Sequence, residues 1–192
     1  MELVFATNNS NKLREVSNQI YNQIKIVSLD DINFSDDIIE SAKTISGNAI
    51  LKANYIKTNY GFDCFADDTG LEVDFLNGEP GVLSKRFAGE NSTDELNIQK
   101  LLDYMEEANN RSARFKTVIA LNIKNRVVTF TGICEGEILT HKKGSNGFGY
   151  DPIFLPNGYH KSFGEMNLIE KTKISHRSKA VKKLIDYLNN YC

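Results

Sequence analysis

The sequence lacks several patterns that would assign its class directly. Its three cysteines, Cys64, Cys134 and Cys192, are odd in number, widely spaced and without a CxxC pair, which argues against a disulfide framework or a zinc site. No apolar run approaches the roughly 20 residues that cross a bilayer. The opening residues, MELVFA, are too short and too acidic for a signal peptide. We therefore expect a cytoplasmic protein without a membrane partner.

An excess of basic charge is also missing. Lysine and arginine number 23 against 25 aspartate and glutamate, for a net charge of −2 at pH 7. This balance argues against a general nucleic-acid binder, although a nucleotide needs only a local cluster of donors. The 192 residues are enough for one substantial core, and we predict a single domain over residues 1–192.

The hydrophobic pattern predicts alternating strands and helices, followed by a long hairpin. A mixed α/β (α+β) fold with a central mixed β-sheet and flanking helices follows from that order. The predicted strands are Leu3–Ala6, Lys25–Leu29, the short Cys64–Ala66, and a hairpin of Ala113–Ile123 and Val127–Leu139. Of the predicted helices, the first has Leu13, Val16 and Ile20 on one face, and the second is capped by Ser46 and ended by Gly61. The third is capped by Thr93 and carries Leu96, Leu101, Leu102 and Met105, and the last has Val181, Leu184, Ile185 and Leu188 facing inward.

A polar segment, Thr7-Asn8-Asn9-Ser10-Asn11-Lys12, separates the first predicted strand from the first helix. Unpaired backbone N–H groups and the positive end of the helix dipole meet at such a junction, and Lys12 adds a compact charge suited to phosphate. The segment is not a Walker A loop, because it lacks the glycines and the GK[ST] ending. Taken alone, the segment is explained slightly better by simple capping of the helix by Asn or Ser.

Two adjacent carboxylates, Asp67 and Asp68, follow a buried strand and are predicted to form an acidic turn with Thr69-Gly70. Carboxylates at the end of a buried strand are costly unless positive charge offsets them. Mg²⁺ offers that charge and takes one or two carboxylates together with water and phosphate oxygens. A carboxylate not used by the metal can orient or deprotonate a water. The alternative is an ordinary surface turn.

A glycine- and aromatic-rich loop spans Gly144–Pro156. Phe148 and Tyr150 offer faces for base stacking, Gly149 lets the backbone approach a ligand closely, and Asp151 can accept a hydrogen bond from a base or ribose. For Tyr150 a place in the core remains an equal alternative.

Basic residues precede and open the last helix. Lys171 can neutralise phosphate, Arg177 can donate to a purine O6 as arginine does to guanine, and His176 lies beside it in a polar context. Taken alone, these residues are explained better by an ordinary solvated helix face.

These four segments, in this order, resemble the inosine/xanthosine triphosphate pyrophosphatase family, the Ham1-like or RdgB-type purine NTP pyrophosphatases. The matching stretches are ATNNSNKLREV, NAILKA, FADDTGLEV, GEPGV, GFGYDPIF and KISHRSKA, which span nearly the whole chain. The resemblance implies a Maf/Ham1-like fold with two lobes around a nucleotide cleft. It also implies a homodimer and Mg²⁺-dependent hydrolysis of ITP, dITP, XTP and dXTP to the monophosphate and pyrophosphate.

The resemblance further implies roles for individual residues. Asp68 becomes the proton acceptor and, with Glu40, a metal ligand, while Asp67 lies beside it in the catalytic pair. Many family members carry a glutamate where this chain has Gly47, so Glu40 is expected to take more of the metal-binding role. Substrate contacts are assigned to Thr7, Asn8, Asn9, Lys12, Thr69, Phe148, Gly149, Tyr150, Asp151, Lys171, His176 and Arg177.

Two other functions compete with this interpretation. One is a Maf-like pyrophosphatase that acts on pyrimidine or modified nucleotides. The other is a catalytically inactive nucleotide-binding protein, against which the intact Lys12, Asp67 and Asp68 argue. A dinucleotide-binding domain is excluded because no GxGxxG follows the first strand.

Overall fold

The computed structural model describes residues 1–20 and 24–191. In this part of the chain six strands form one sheet in the order β2-β1-β3-β4-β5-β6. Strand β1 pairs in parallel with β2 and β3, whereas β5 pairs antiparallel with β6, so the predicted mixed sheet is confirmed. The strands are β1 Glu2–Phe5, β2 Lys25–Val27, β3 Cys64–Val73, β4 Ser112–Ile123, β5 Arg126–Ile138 and β6 Phe154–Pro156.

Side-chain caps define where four of the helices begin, including the short helix Leu168–Thr172, which Asn167 caps. Asn9 caps α1 and Thr93 caps α3, the latter as predicted. Helix α2 is capped by Thr44, whose hydroxyl accepts from the Gly47 amide, so the prediction of Ser46 was two residues late. The helices are α1 Ser10–Ser17, α2 Ile45–Tyr60, α3 Asp94–Tyr104, α4 Leu168–Thr172 and α5 His176–Tyr191, with short 3-10 turns at Asp30–Ile32, Asp74–Leu76, Gly81–Arg86 and Asp151–Ile153.

The predicted hairpin of β4 and β5 is confirmed. Its loop consists of Lys124 and Asn125, and both residues have positive φ, 49° and 61°. Two consecutive positive φ angles are the mark of the tight turn that matches the twist of paired strands. Asn tolerates this region well, and Lys124 is held there by its amide, which donates to the Asp63 carboxylate at 3.0 Å.

The chain divides into two compact units. Unit 1 comprises Met1–Asp68, Thr117–Gly132 and Arg177–Cys192, and unit 2 comprises Thr69–Lys116 and Ile133–His176. Each unit has its own hydrophobic core. The core of unit 1 includes Phe5, Phe65, Leu121, Val181 and Leu184, and that of unit 2 includes Leu71, Leu101, Phe115, Phe154 and Phe163.

Three further predicted details were wrong. Strand β3 does not end at Ala66 but continues through Asp67 and Asp68 to Val73, so the acidic pair lies within a strand and not in a turn. Helix α1 ends at Ser17, before Ile20, although Ile20 is buried. Leu96 on α3, which was predicted to face the core, is 53% exposed, and Ile98 is buried on that helix instead.

The inward face of α5 is as predicted, because Val181, Leu184 and Leu188 are all buried. Among the described residues, no helix has the length and apolar character needed to cross a membrane.

Candidate active site

Asp67 and Asp68 are adjacent buried carboxylates on β3, at 1% and 7% exposure. Neighbouring residues of a strand point to opposite faces of the sheet. The two side chains therefore meet different surroundings within unit 1, and the difference shows in their contacts and in their pKa values.

Asp67 is held by two cations. Its carboxylate lies 3.0 Å from Nζ of Lys12 and 3.2 Å from Nε of Arg177. Burial raises the pKa of Asp67, but the charges of Lys12, Arg177 and Lys52 outweigh burial and bring the pKa below its usual value. Asp67 is therefore a permanent anion that fixes the positions of its cations.

Arg177 is anchored on a second side by Glu15 of α1, since its Nη1 donates to the Glu15 carboxylate. Both side chains are buried, Arg177 at 1% and Glu15 at 6% exposure. Burying three charged groups together is tolerable only because each is paired and hydrogen-bonded. The result is an ion chain in which Asp67, Arg177 and Glu15 are buried and Lys12 is half-buried.

Asp68 has a different partner, Lys52 of α2. The Lys52 ammonium lies 3.5 Å from Asp68 Oδ1 and 2.9 Å from Glu40 Oε1. Burial raises the pKa of Asp68, and Lys52 and Lys12 offset only part of that rise. A carboxylate with a raised pKa holds a proton more readily than an ordinary aspartate, as a proton acceptor must.

One oxygen of Asp68 is left without a hydrogen-bond donor. Asp68 Oδ2 is buried and has no partner among the described residues. A buried carboxylate oxygen without a donor is costly, and functional sites are where such costs are found. This oxygen can accept a bond from a water or from a cation that the site binds.

Lys52 and Glu15 are site residues that we did not predict from the sequence. For Lys52 a signal was present, because it shares the buried face of α2 with Ala49, Ala53 and Ile56, where a lysine is rare unless paired. For Glu15 there was none, since its partner Arg177 is 162 residues away.

The contacts of the polar segment before α1 test one of its two interpretations, capping of the helix. Asn9 Oδ1 accepts from the amides of Asn11 and Lys12 at 3.0 and 3.1 Å, and the Thr7 hydroxyl accepts from the Asn9 amide at 3.2 Å. Capping is thus confirmed. Asn8 is exposed, and the binding of phosphate by this segment stays a prediction.

Within unit 2, Asp151 organises the glycine-rich loop. Its Oδ2 accepts from Nζ of Lys171 at 2.6 Å and from the amide of Phe148 at 2.8 Å. Asp151 and Lys171 are both nearly inaccessible, at 2% and 4% exposure. Gly147, with φ of +79°, passes so close that a Cβ there would lie 2.0 Å from Asp151 Oδ2. Only glycine fits at this position.

The two aromatic residues of this loop have different surroundings. Phe148 is half-buried, and Lys171 Nζ lies 5.0 Å from its ring centroid, within cation–π range. Tyr150 is buried, its hydroxyl donates to the Ser84 carbonyl at 2.9 Å, and burial raises its pKa. Tyr150 thus has a structural role, which was one of the two predicted alternatives.

The remaining predicted residues of unit 2 are also placed. Gly149 donates its amide to Asp94 Oδ2 at 2.6 Å. His176 is 2% exposed, and its ring stacks on Phe115 with a centroid distance of 4.6 Å. Thr69 is half-buried on β3.

A preformed metal site is not present among the described residues, since no three His, Cys, Asp or Glu side chains converge there. Glu40 and Asp68 each place a carboxylate oxygen beside Lys52 Nζ. Two carboxylates are within the number that Mg²⁺ takes from a protein, the rest of its shell being water and phosphate oxygen. The unpartnered Asp68 Oδ2 fits that use.

Comparison with known sequences and structures gives a consistent assignment. A model of the Ham1 family matches residues 3–187. A dITP/XTP pyrophosphatase of Christiangramia forsetii is 57% identical over 189 residues, which cover 98% of this chain and 100% of the relative. A dITP/XTP pyrophosphatase of Porphyromonas gingivalis is 47% identical over 188 residues, with 97% of each chain covered.

Solved structures are similar over the whole length. The Staphylococcus aureus Ham1 protein aligns with a TM-score of 0.92 at 36% identity, covering 100% of both chains. A HAM1 protein from Coxiella burnetii aligns with a TM-score of 0.91 at 39% identity, covering 99% of both chains.

Proposed function

The chain belongs to the Ham1 family, and on that premise we propose that it is a nucleoside triphosphate pyrophosphatase. Its proposed substrates are the non-standard purine nucleotides dITP, ITP, XTP and dXTP, which it hydrolyses to the monophosphate and pyrophosphate. The observation in the chain that supports this most is the contrast between two adjacent aspartates. Asp67 is held as an anion by Lys12 and Arg177, whereas the pKa of Asp68 is raised by burial.

The proposed reaction is in-line attack of water at the α-phosphorus. Asp68 orients the water and accepts its proton while the new P–O bond forms. The bond between the α-phosphorus and the bridging oxygen breaks, and pyrophosphate leaves with the electron pair. Phosphoryl chemistry depends more on positioning and charge neutralisation than on covalent catalysis, so no nucleophilic side chain is needed.

Charge neutralisation is proposed to come from the cations around β3. Lys12 and the segment from Thr7 to Asn9 bind the triphosphate, and Lys52 adds a second ammonium beside Asp68. Asp67 keeps Lys12 in place by its ion pair. A compact ammonium suits phosphate oxygens because its charge is not spread over a plane.

Mg²⁺ is the proposed cofactor, with Asp68 and Glu40 as its protein ligands. When bound, it would add positive charge to the phosphate oxygens and lower the barrier to displacement. The Lys52 ammonium, which forms ion pairs with both Asp68 and Glu40, offsets part of the negative charge of these two carboxylates.

The base is proposed to be bound by residues of unit 2, with Thr69 contributing to substrate contact. Phe148 stacks on the base, Gly149 and Asp151 shape the loop around it, and Tyr150 supports it. Hypoxanthine and xanthine present a keto oxygen at position 6 where adenine presents an amino group. Lys171 and His176 are proposed to complete the nucleotide pocket, and a donor that faces adenine in place of that oxygen would leave buried groups unpaired at about 1–3 kcal/mol each.

Arg177 was also predicted to read the base. Its contacts with Asp67 and Glu15 support a second role, in which it holds Asp67 ionised. Both roles remain part of the proposal.

The test is a substrate panel with product analysis. We expect dITP and XTP to give monophosphate and pyrophosphate at much higher kcat/KM than dATP, and Asp68→Asn to abolish turnover. Asp103→Asn, an exposed carboxylate on α3, is the matched control and should behave as wild type. Equal kcat/KM for dITP and dATP would contradict the selectivity.

The same panel distinguishes the competing functions. Preference for pyrimidine or modified nucleotides would favour a Maf-like enzyme. Tight binding of dITP without release of pyrophosphate would favour an inactive nucleotide-binding protein.

A cytoplasmic location and a homodimer complete the proposal. The location is expected from the cysteine pattern and the lack of a long apolar run, the dimer from the family resemblance, and sedimentation velocity measures the second. A sedimentation coefficient that corresponds to a monomer at micromolar concentration would contradict the dimer.

A further inference from the structure

The connection between the 3-10 turn at Asp30–Ile32 and helix α2 carries Glu40. We call this connection, residues 33–44, the strap. It contains no helix or strand, yet it delivers the Glu40 carboxylate to 2.9 Å from Lys52 Nζ. An irregular segment holds one side chain in place only if its backbone is fixed on both sides of that residue.

Before Glu40, the strap is fixed by aromatic residues of α2. The hydroxyls of Tyr55 and Tyr60 both donate to Asp36 Oδ2, at 2.9 and 2.8 Å. The ring of Phe34 packs against the same two tyrosines, with centroid distances of 6.4 and 5.3 Å. These four side chains form the first anchor of the strap.

After Glu40, the strap is fixed by the first turn of α2. The Ala42 amide donates to Oδ1 of Asn48 at 2.9 Å, and Asn48 is fully buried. The Thr44 hydroxyl caps the helix through the Gly47 amide at 3.0 Å. These contacts form the second anchor, two residues from Glu40.

The second anchor depends on the size of residue 47. A Cβ on Gly47 would lie 2.7 Å from Cβ of Ala42 and 3.0 Å from Oγ1 of Thr44. The Thr44 hydroxyl can rotate, but the Ala42 Cβ is attached directly to the backbone and cannot move alone. Any side chain at position 47 must therefore displace the strap backbone near Glu40.

We propose that the strap is a positioning element for Glu40, and that the close contact of Ala42 with Gly47 sets how near Glu40 lies to Lys52 and Asp68. Gly47 and Ala42 are then positioning residues that act through Glu40. The inference rests on the proposed function only in taking Glu40 and Asp68 as metal ligands.

The test is a reciprocal exchange of size. Gly47→Ala adds the blocking methyl group, while alanine is a better helix former than glycine, so the variant should fold. Ala42→Gly in the same chain removes the methyl group that it strikes. If the contact between Ala42 and Gly47 sets the position of the strap, the double variant recovers the Mn²⁺ affinity that Gly47→Ala loses.

Mn²⁺ affinity of the full chain, measured by electron paramagnetic resonance without nucleotide, is the main readout. We expect Gly47→Ala to weaken Mn²⁺ binding by on the order of tenfold or more, as supporting residues of metal sites do. The double variant should return to within about twofold of wild type. Hydrogen exchange at the Ala42 amide should accelerate in Gly47→Ala and slow again in the double variant.

Thr58→Ala, on the exposed side of α2, is the control for helix stability and should leave both readouts unchanged. Unaltered Mn²⁺ affinity in Gly47→Ala, failure of the double variant to recover, or a wild-type chain that binds no Mn²⁺ would each overturn the proposal. Because no nucleotide is present, a wild-type chain that hydrolyses no nucleotide would overturn the proposed function without affecting this result.

Discussion

Asp67 and Asp68 should respond in opposite ways to the same substitution. Asp67→Asn removes the carboxylate that Lys12 and Arg177 share, at 3.0 and 3.2 Å. Removal of one partner of a buried ion pair costs about 3–5 kcal/mol. Because 1 kcal/mol corresponds to about 2–4 °C for a domain of this size, we expect Tm to fall by roughly 6–20 °C.

Asp68→Asn should leave Tm at or above the wild-type value. The pKa of Asp68 is raised in the folded chain, so its ionised form is less favourable there than in the unfolded chain. The stability associated with Asp68 is complete below the unfolded pKa and is lost as pH rises through the folded pKa. An asparagine does not ionise and avoids that loss at pH 7–8.

The stability of the two variants should also change with pH in opposite directions. The pKa of Asp67 is lowered by folding, so its contribution is present above the unfolded pKa of about 4 and is lost as pH falls through the folded pKa. The deficit of Asp67→Asn should therefore be full at pH 7 and shrink only below about pH 4. The advantage of Asp68→Asn should grow as pH rises from about 4.

Calorimetry in EDTA without nucleotide, from about pH 3 to 8, covers the range around the unfolded aspartate pKa and measures both effects, with Asp103→Asn as the control. An unchanged Tm for Asp67→Asn would refute the ion pairs as a source of stability. A fall for Asp68→Asn as large as that for Asp67→Asn would refute the assigned difference between the two carboxylates.

Three further predictions concern other residues. Lys52→Met should lower kcat by on the order of 10²-fold, as loss of a preorganised charge at a reacting centre does, and Lys52→Arg should retain more activity in steady-state assays. Gly147→Ala should place a methyl group 2.0 Å from Asp151 Oδ2 at a φ of +79°, which should cost about 1–3 kcal/mol in backbone strain and raise KM for dITP. Calorimetry and steady-state kinetics measure both effects, and no change in either would contradict the prediction. Burial raises the pKa of Cys64 to about 12, so mass spectrometry should find this thiol unlabelled by a disulfide reagent at pH 8 until the protein is unfolded; labelling of the native protein would contradict its burial.

Local patterns predicted much of the fold. The cap at Thr93, the end of α2 at Gly61 and the hairpin turn at Lys124–Asn125 all depend on residues close in sequence. Hydrophobic spacing likewise identified the inward face of α5. Such features follow from backbone preferences that a short window of sequence contains.

The acidic pair shows where local reasoning fails. Asp67-Asp68-Thr69-Gly70 has the composition of a turn, but the chain continues as a strand. The charges that make this possible come from Lys12, 55 residues away, and Arg177, 110 residues away. No local pattern contains those partners.

The central claim is that water attacks the α-phosphorus of a purine nucleoside triphosphate. Hydrolysis of dITP in ¹⁸O-labelled water, with mass spectrometry of both products, tests it directly. The account predicts dIMP that carries one ¹⁸O atom together with unlabelled pyrophosphate. Label in the pyrophosphate, or formation of dIDP and inorganic phosphate, would contradict it.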